Sequence, residues 1–166
     1  MILAYIGKEI NGETLVQIFK ELKLEYRELF DEDFNSRIGA LLKEGTKKKC
    51  DNSRKTFLLF SKVSESQMDL LKEKMHQNDI YIPRIALETE QNVHWTLKEL
   101  LDAIDEEVEY FQLRDAIISK LKKPNMYRVK TDPNYIKNLN QIVERISSED
   151  VTINELKEMK KYLFRI

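Results

Sequence analysis

Apolar positions along this chain alternate between unbroken short runs and helical stripes. Met1 to Gly7 is apolar at nearly every position, as expected of a strand covered on both faces. Behind Asn11, a residue suited to a helix N-cap, Leu15, Ile18, Phe19 and Leu22 recur at helical spacing. Leu24 to Phe30 alternates instead, which reads as a half-exposed edge strand. Phe34, Ile38, Leu41 and Leu42 mark a short helix with Gly45 as its stop. Thr56 to Phe60 is a second continuously apolar strand. Ser64-Glu-Ser-Gln67 is a capping box that opens a helix with Met68, Leu71 and Met75 on its inner face. Ile80 to Thr89 is the fourth strand, and Pro83 near its start marks an edge position.

A second capping box, Thr96 to Glu99, opens a long helix carrying Leu97, Leu100, Leu101, Ile104, Val108 and Phe111, then Leu113, Ile117 and Leu121. Lys122-Lys123-Pro124 ends it. Asp132-Pro133 caps a further helix with Tyr135, Ile136, Leu139, Ile142, Val143 and Ile146 in one stripe. Val151 to Leu156 combines a capping box at Thr152 and Glu155 with a hydrophobic staple, and starts the last helix. Neither tail helix holds together alone in water, so the hairpin is expected to pack on Leu113 to Leu121 or on a second copy of the chain.

Strand–helix alternation points to an α/β fold. The expected sheet is small, mainly parallel and four-stranded, in order 2-1-3-4, because the first and third strands are the most apolar. Helices cover both faces. The alternative is a ferredoxin-like α+β sheet, which leaves one face open and suits alternating rather than continuous hydrophobicity. The expected division is an α/β domain over 1–123 and a helical hairpin over 124–166. No internal repeat is evident in the residues.

Composition narrows the function classes. With 28 basic and 29 acidic residues the net charge is −1, so no global field draws the chain to nucleic acid or to an acidic membrane. No apolar run approaches the ~20 residues that span a bilayer. The N-terminal stretch reads as a strand rather than a signal peptide, and one cysteine, Cys50, makes no internal disulfide. These features together lead us to expect a cytoplasmic protein.

Catalytic signatures are sparse. Only His76 and His94 are available as bases, neither beside a Ser or Cys in a recognisable elbow. His76 suits the dipole at a helix C-terminus. No metal spacing, glycine-rich nucleotide loop or phospho-acceptor aspartate is present, so no metal, cofactor or catalytic residue is assigned. Asp102, Asp105, Glu106, Glu107 and Glu109 read as a solvated helix face. The basic stretch from Arg37 to Lys55, with Lys47, Lys48 and Lys49, lacks the aromatics that stack bases, so nucleic-acid binding through Lys47–Lys55 is not expected. Cys50 among those lysines is a weak candidate for reactivity.

Two places remain. In order 2-1-3-4 the loops after the first and third strands diverge, and such a switch point is where α/β sheets bind ligands. Those loops carry Lys8, Asn11, Ser61, Lys62 and Ser64, groups suited to a small anion or nucleotide. The connector before the long helix gathers Asn92, His94 and Trp95, with Trp95 expected to wedge between helix and sheet.

At this connector the chain resembles a bacterial family, domain of unknown function 3783. The resemblance rests on Ala86 at a strand end, Thr89, Asn92 and Trp95 in a Thr-x-x-Asn-x-x-Trp element, then Leu100 and Glu107, with Ile38-Gly39-Ala40-Leu41 upstream. It extends over about residues 1 to 112. Glu90 stands where the family usually has Pro, and Val108 where it often has His. The resemblance implies an α/β fold in an intracellular bacterial setting and carries no activity. The expectation is therefore a non-enzymatic interaction or regulatory module with an unknown protein partner and a homodimer through its C-terminal helices, the alternative being a binder of a small anion.

Overall fold

The computed structural model describes residues 1–44 and 52–164. They fall into two compact units, Met1–Asp105 and Glu106–Ile166. In the first unit, β1 (Ile2–Tyr5), α1 (Gly12–Glu21) and β2 (Tyr26–Leu29) precede a single 3-10 turn (Asp31–Asp33) and the short α2 (Ile38–Leu41). Then come β3 (Phe57–Phe60), α3 (Glu65–Gln77), β4 (Ile85–Leu87), a second 3-10 turn (Asn92–His94) and α4 (Leu97–Lys122). Among the described residues no helix is long and apolar enough to cross a membrane.

The sheet order is β2-β1-β3-β4, as the relative apolarity of the strands requires. Every residue of β1 and β3 is buried. Ile2, Ala4, Leu58 and Phe60 pack in one cluster with Leu15, Ile18 and Phe19 of α1 and Leu71 and Met75 of α3. Strand periodicity turns Leu3, Tyr5, Phe57 and Leu59 to the other side, and the buried residues outside that cluster include Ile38 and Leu41 of α2 and Leu97, Leu100 and Leu101 of α4.

The strand directions refine the sequence reading. β1 pairs with β2, and β3 with β4, in parallel, but the central pair β1–β3 is antiparallel, with Ile2 opposite Phe60 and Tyr5 opposite Phe57. The sheet is mixed, and two parallel flanking pairs are not the ferredoxin-like alternative. Each β-α-β unit joins parallel neighbours through its helix; the link from β2 to β3 includes a 3-10 turn and α2 and reverses direction.

That reversal exposes a repetition no residue pattern announced. β1-α1-β2-turn-α2 and β3-α3-β4-turn-α4 follow one plan, related by an approximate two-fold axis between β1 and β3. Both helices end with a left-handed residue, Lys23 (φ 52°) and Asp79 (φ 55°). The amides beyond them reach back to the helix, Leu24 N–H to the Phe19 carbonyl and Ile80 N–H to the Met75 carbonyl, each at 2.9 Å. Phe30 N–H donates to the Asp33 carboxylate at 2.9 Å, and Thr89 N–H to the Asn92 side-chain oxygen at 2.8 Å. Ile38 N–H donates to the Trp95 carbonyl and Leu97 N–H to the Ser36 carbonyl, both at 2.9 Å, so the two helix starts pair with each other.

In the second unit the rest of α4 joins α5 (Met126–Thr131), α6 (Pro133–Ile146) and α7 (Ile153–Phe164). Leu113 and Ile117 form a core with Ile142, Ile146, Val151, Leu156 and Leu163, so the tail stripe packs on its own chain. Helix α5, not anticipated from its polar sequence, is capped by Asn125, which accepts from Tyr127 and Arg128 N–H. Asp132 and the Thr152–Glu155 box cap α6 and α7.

Candidate functional site

Antiparallel pairing of β1 and β3 sends the loops that follow them to opposite ends of the sheet. The eight residues singled out from the sequence therefore do not share one crevice. Lys8 and Asn11 lie at the β1/β2 carboxyl end; Ser61, Lys62, Ser64 and the Asn92–Trp95 connector lie at the β3/β4 carboxyl end.

At the β1/β2 end many polar groups are committed to one another, although the Asn52 side-chain oxygen is buried without a hydrogen-bond partner among the described residues. Asn11 caps α1, accepting from Thr14 N–H at 3.2 Å. Residues 52–55 lie across the strand ends. The Asn52 amide donates to the carbonyls of Ile6 at 2.9 Å and Leu29 at 3.0 Å, and Ser53 N–H donates to the Asp31 carboxylate at 3.1 Å. Arg54 N–H donates to the Tyr5 hydroxyl at 3.1 Å, and Tyr5 donates in turn to Asp31. Burial, reinforced by Asp31, pushes the Tyr5 hydroxyl up to about 12. Burial raises the Asp31 carboxyl, but the hydrogen bonds from Tyr5 and Ser53 outweigh it and hold Asp31 below the usual range.

The Arg54 guanidinium stands 5.3 Å over the Phe34 ring and meets Asp102 at 2.6 Å, while Arg84 pairs with Asp105 and Lys98 with Asp102 at 2.6 Å. The acids of α4 are thus not only a solvated face: Asp102 and Asp105 receive three cations, and hydrogen bonds from Lys98 and Arg54 hold Asp102 low. Lys47, Lys48, Lys49 and Cys50 lie outside the described residues, so the basic-loop and thiol readings do not bear on this geometry.

The β3/β4 end is open. A cavity of about 800 Å³ is lined by Ser61 and Lys62 after β3, Glu88 and His94 after β4, Glu25 before β2, and Arg37 and Lys43 beside α2. Gly39 and Val93 also line it. A Cβ on Gly39 would stand 3.1 Å from the Val93 carbonyl oxygen, so a side chain there would push α2 and the second 3-10 turn apart by a few tenths of an ångström. Lys62 adopts φ 53° and is the one described non-glycine residue with positive φ that is not closing a helix.

Three sequence candidates have structural duties here. Ser64 caps α3 through Gln67 N–H at 3.3 Å. Asn92 is buried, accepts from Thr89 N–H and donates to the Leu87 carbonyl at 2.8 Å, which closes the turn after β4. Trp95 is not a wedge. Its side chain is 39% exposed and absent from the cavity lining, because its backbone is held in the pairing with Ile38 while fully buried Leu97 anchors the start of α4. Ser61, Lys62 and His94 do meet at the cavity. Arg37 and Lys43, which the sequence presents only as part of the basic stretch from Arg37 to Lys55, belong to the other half of the chain; only the antiparallel centre brings them to this end.

Among the described residues no cluster of His, Cys, Asp and Glu could hold a metal ion. Residues 56–111 match the family described as Domain of unknown function (DUF3783). The chain resembles that family over β3, α3, β4, the second 3-10 turn and the first turns of α4, including Thr89, Asn92 and Trp95. The matched segment is narrower than the 1–112 read from the sequence, and it coincides with the second of the two repeated halves. No curated protein and no solved structure matches the chain.

Proposed function

We propose that this protein is a binding module rather than an enzyme, and that its cavity at the carboxyl ends of β3 and β4 takes up an acidic group. The observation that carries the reading is the convergence of Arg37, Lys43 and Lys62 on one 800 Å³ cavity. Lys43 and Lys62 form no ion pair among the described residues, unlike Arg54 and Arg84 at the opposite end. Cationic groups left available in a concave site are what anion recognition requires. Lys62 keeps a strained left-handed backbone at this rim, and strain of that kind concentrates at binding sites. His94, the lining imidazole, has no hydrogen-bonded carboxylate or hydroxyl among the described residues, which favours binding over general-base chemistry.

The test is thermal stability across a panel of acetate, citrate, phosphate, nucleotides and short acidic peptides. A ligand at 100 times its dissociation constant adds ~2.7 kcal/mol, and Lys62→Glu should remove the gain. A flat response to the whole panel, acidic peptides included, would overturn the reading.

A second reading concerns self-association. Ile136 and Val143 on α6 remain 40% and 49% exposed on one side of an otherwise packed helix, which favours pairing of the second unit with its copy. Sedimentation at ~100 μM tests it: a strict monomer removes the reading.

A further inference from the structure

The two repeated halves offer two equivalent crevices, and the chain fills one of them itself. The axis passes between Leu3 and Leu59, which face each other. It exchanges Ile2, whose N–H donates to the Glu25 carbonyl, with Leu58, whose N–H donates to the Arg84 carbonyl, hence Tyr5 and Ile6 with Ser61 and Lys62. The paired helix starts exchange Ile38 with Leu97, hence Lys43 with Asp102 and, one turn earlier, Phe34 with Val93. Residues 52–55 touch Tyr5, Ile6, Phe34 and Asp102: Asn52 donates to the Ile6 carbonyl, Arg54 N–H donates to the Tyr5 hydroxyl, and the Arg54 guanidinium stacks on Phe34 and pairs with Asp102. A Cβ on Gly7 would stand 2.5 Å from the Arg54 carbonyl oxygen, so the segment runs directly over that glycine. The counterparts of all four contacts, Ser61, Lys62, Val93 and Lys43, line the open cavity.

We propose that the open cavity is a docking site for a short peptide segment of a partner protein, held by a carboxylate side chain. The inference rests on the binding reading above and specifies its ligand. The shape comes from the filled crevice, where four consecutive residues cross the strand ends with a bend at Arg54. The charge comes from inversion: Asp102, which receives Arg54, is replaced by Lys43, so the occupant brings an acid where the internal segment brings an arginine. Glu25 and Glu88 in the lining supply acceptors for peptide N–H groups, which suits a peptide better than a simple polyanion.

The experiment titrates the full ¹⁵N-labelled chain with two end-blocked tetrapeptides. One is Asn-Ser-Arg-Lys, the internal sequence at 52–55; the other has Glu in place of Arg. The Glu peptide is expected to shift the amide resonances of Gly39, Ala40, Lys62 and Val93, and the Arg peptide to leave them unmoved. Lys43→Glu should weaken the Glu peptide at least about tenfold and admit the Arg peptide, since like charges in contact oppose docking; an unchanged circular dichroism spectrum establishes that the variant folds. If acetate or citrate moves these amides as effectively as the Glu peptide, the peptide assignment fails and the anion-binding reading stands. If neither does, both fall. Unaltered charge preference in folded Lys43→Glu also overturns the proposal.

Discussion

Arg37 and Thr96 face each other across an isolated antiparallel bridge that ties the start of α2 to the start of α4. The bridge brings α2 onto the turn at Val93, and Gly39 leaves room for the approach. Gly39→Val should therefore cost about 1–3 kcal/mol, because a branched side chain forces two backbones apart. Urea unfolding checks this, with the midpoint expected to fall at unchanged slope. Wild-type stability in the variant would mean that α2 yields freely and does not define the cavity wall.

Lys62 tests whether that wall is kept for binding. Its left-handed backbone costs a side-chain-bearing residue about 1 kcal/mol that glycine does not lose. Lys62→Gly should raise the midpoint of thermal unfolding while weakening uptake of acidic ligands by the cavity. A lower midpoint would show that the lysine side chain contributes more to the fold than its backbone strain takes away.

Trp95 separates exposure from anchorage. At 39% exposure its emission should be red-shifted and readily quenched by acrylamide, and Trp95→Ala should cost below about 1 kcal/mol. Leu97→Ala, two residues on at a fully buried position, should cost about 2–5 kcal/mol. Equal losses at the two positions would return Trp95 to the core.

The order of strands was legible because burial on both faces needs continuous apolar runs, and only β1 and β3 have them. The caps were legible too, since Asn11, Ser64, Thr96, Asp132 and Thr152 act locally through amides two or three residues away. Strand direction was not, because hydrophobicity carries no sense along the chain. The repetition stayed hidden for a chemical reason. Asp33 and Asn92 accept the same hydrogen bond with different side chains, and Lys23 and Asp79 hold left-handed positions where glycine is the usual signal. The cavity followed from both: Arg37 and Lys43 reach Lys62 only once the second half is turned about the axis. Trp95 misled because ring size argues for burial, whereas the pairing of its backbone decides its surroundings.

Acid should loosen the tail helices through Glu155. Arg145 on α6 donates to both of its carboxylate oxygens, at 2.8 and 2.9 Å, and Thr152 N–H donates to one of them at 2.8 Å. The Arg145 hydrogen bonds, then that of Thr152, bring the Glu155 carboxyl from its ordinary 4.5 down to about 2. A carboxylate held lower in the folded state stabilises fully above its unfolded value and loses that contribution as pH falls through its folded one. The α6–α7 pairing should thus be insensitive to this group above pH 4.5 and weaken progressively between about 4.5 and about 2. Arg145 stays charged throughout, and both partners touch solvent, so added salt should soften the effect. Carbon-13 titration of the Glu155 carboxyl measures the window directly. In Arg145→Met the midpoint should rise toward 4.5, with the Thr152 amide retaining part of the depression. An unmoved midpoint in that variant would assign the shift to the helix start alone and remove Arg145 from the acid response.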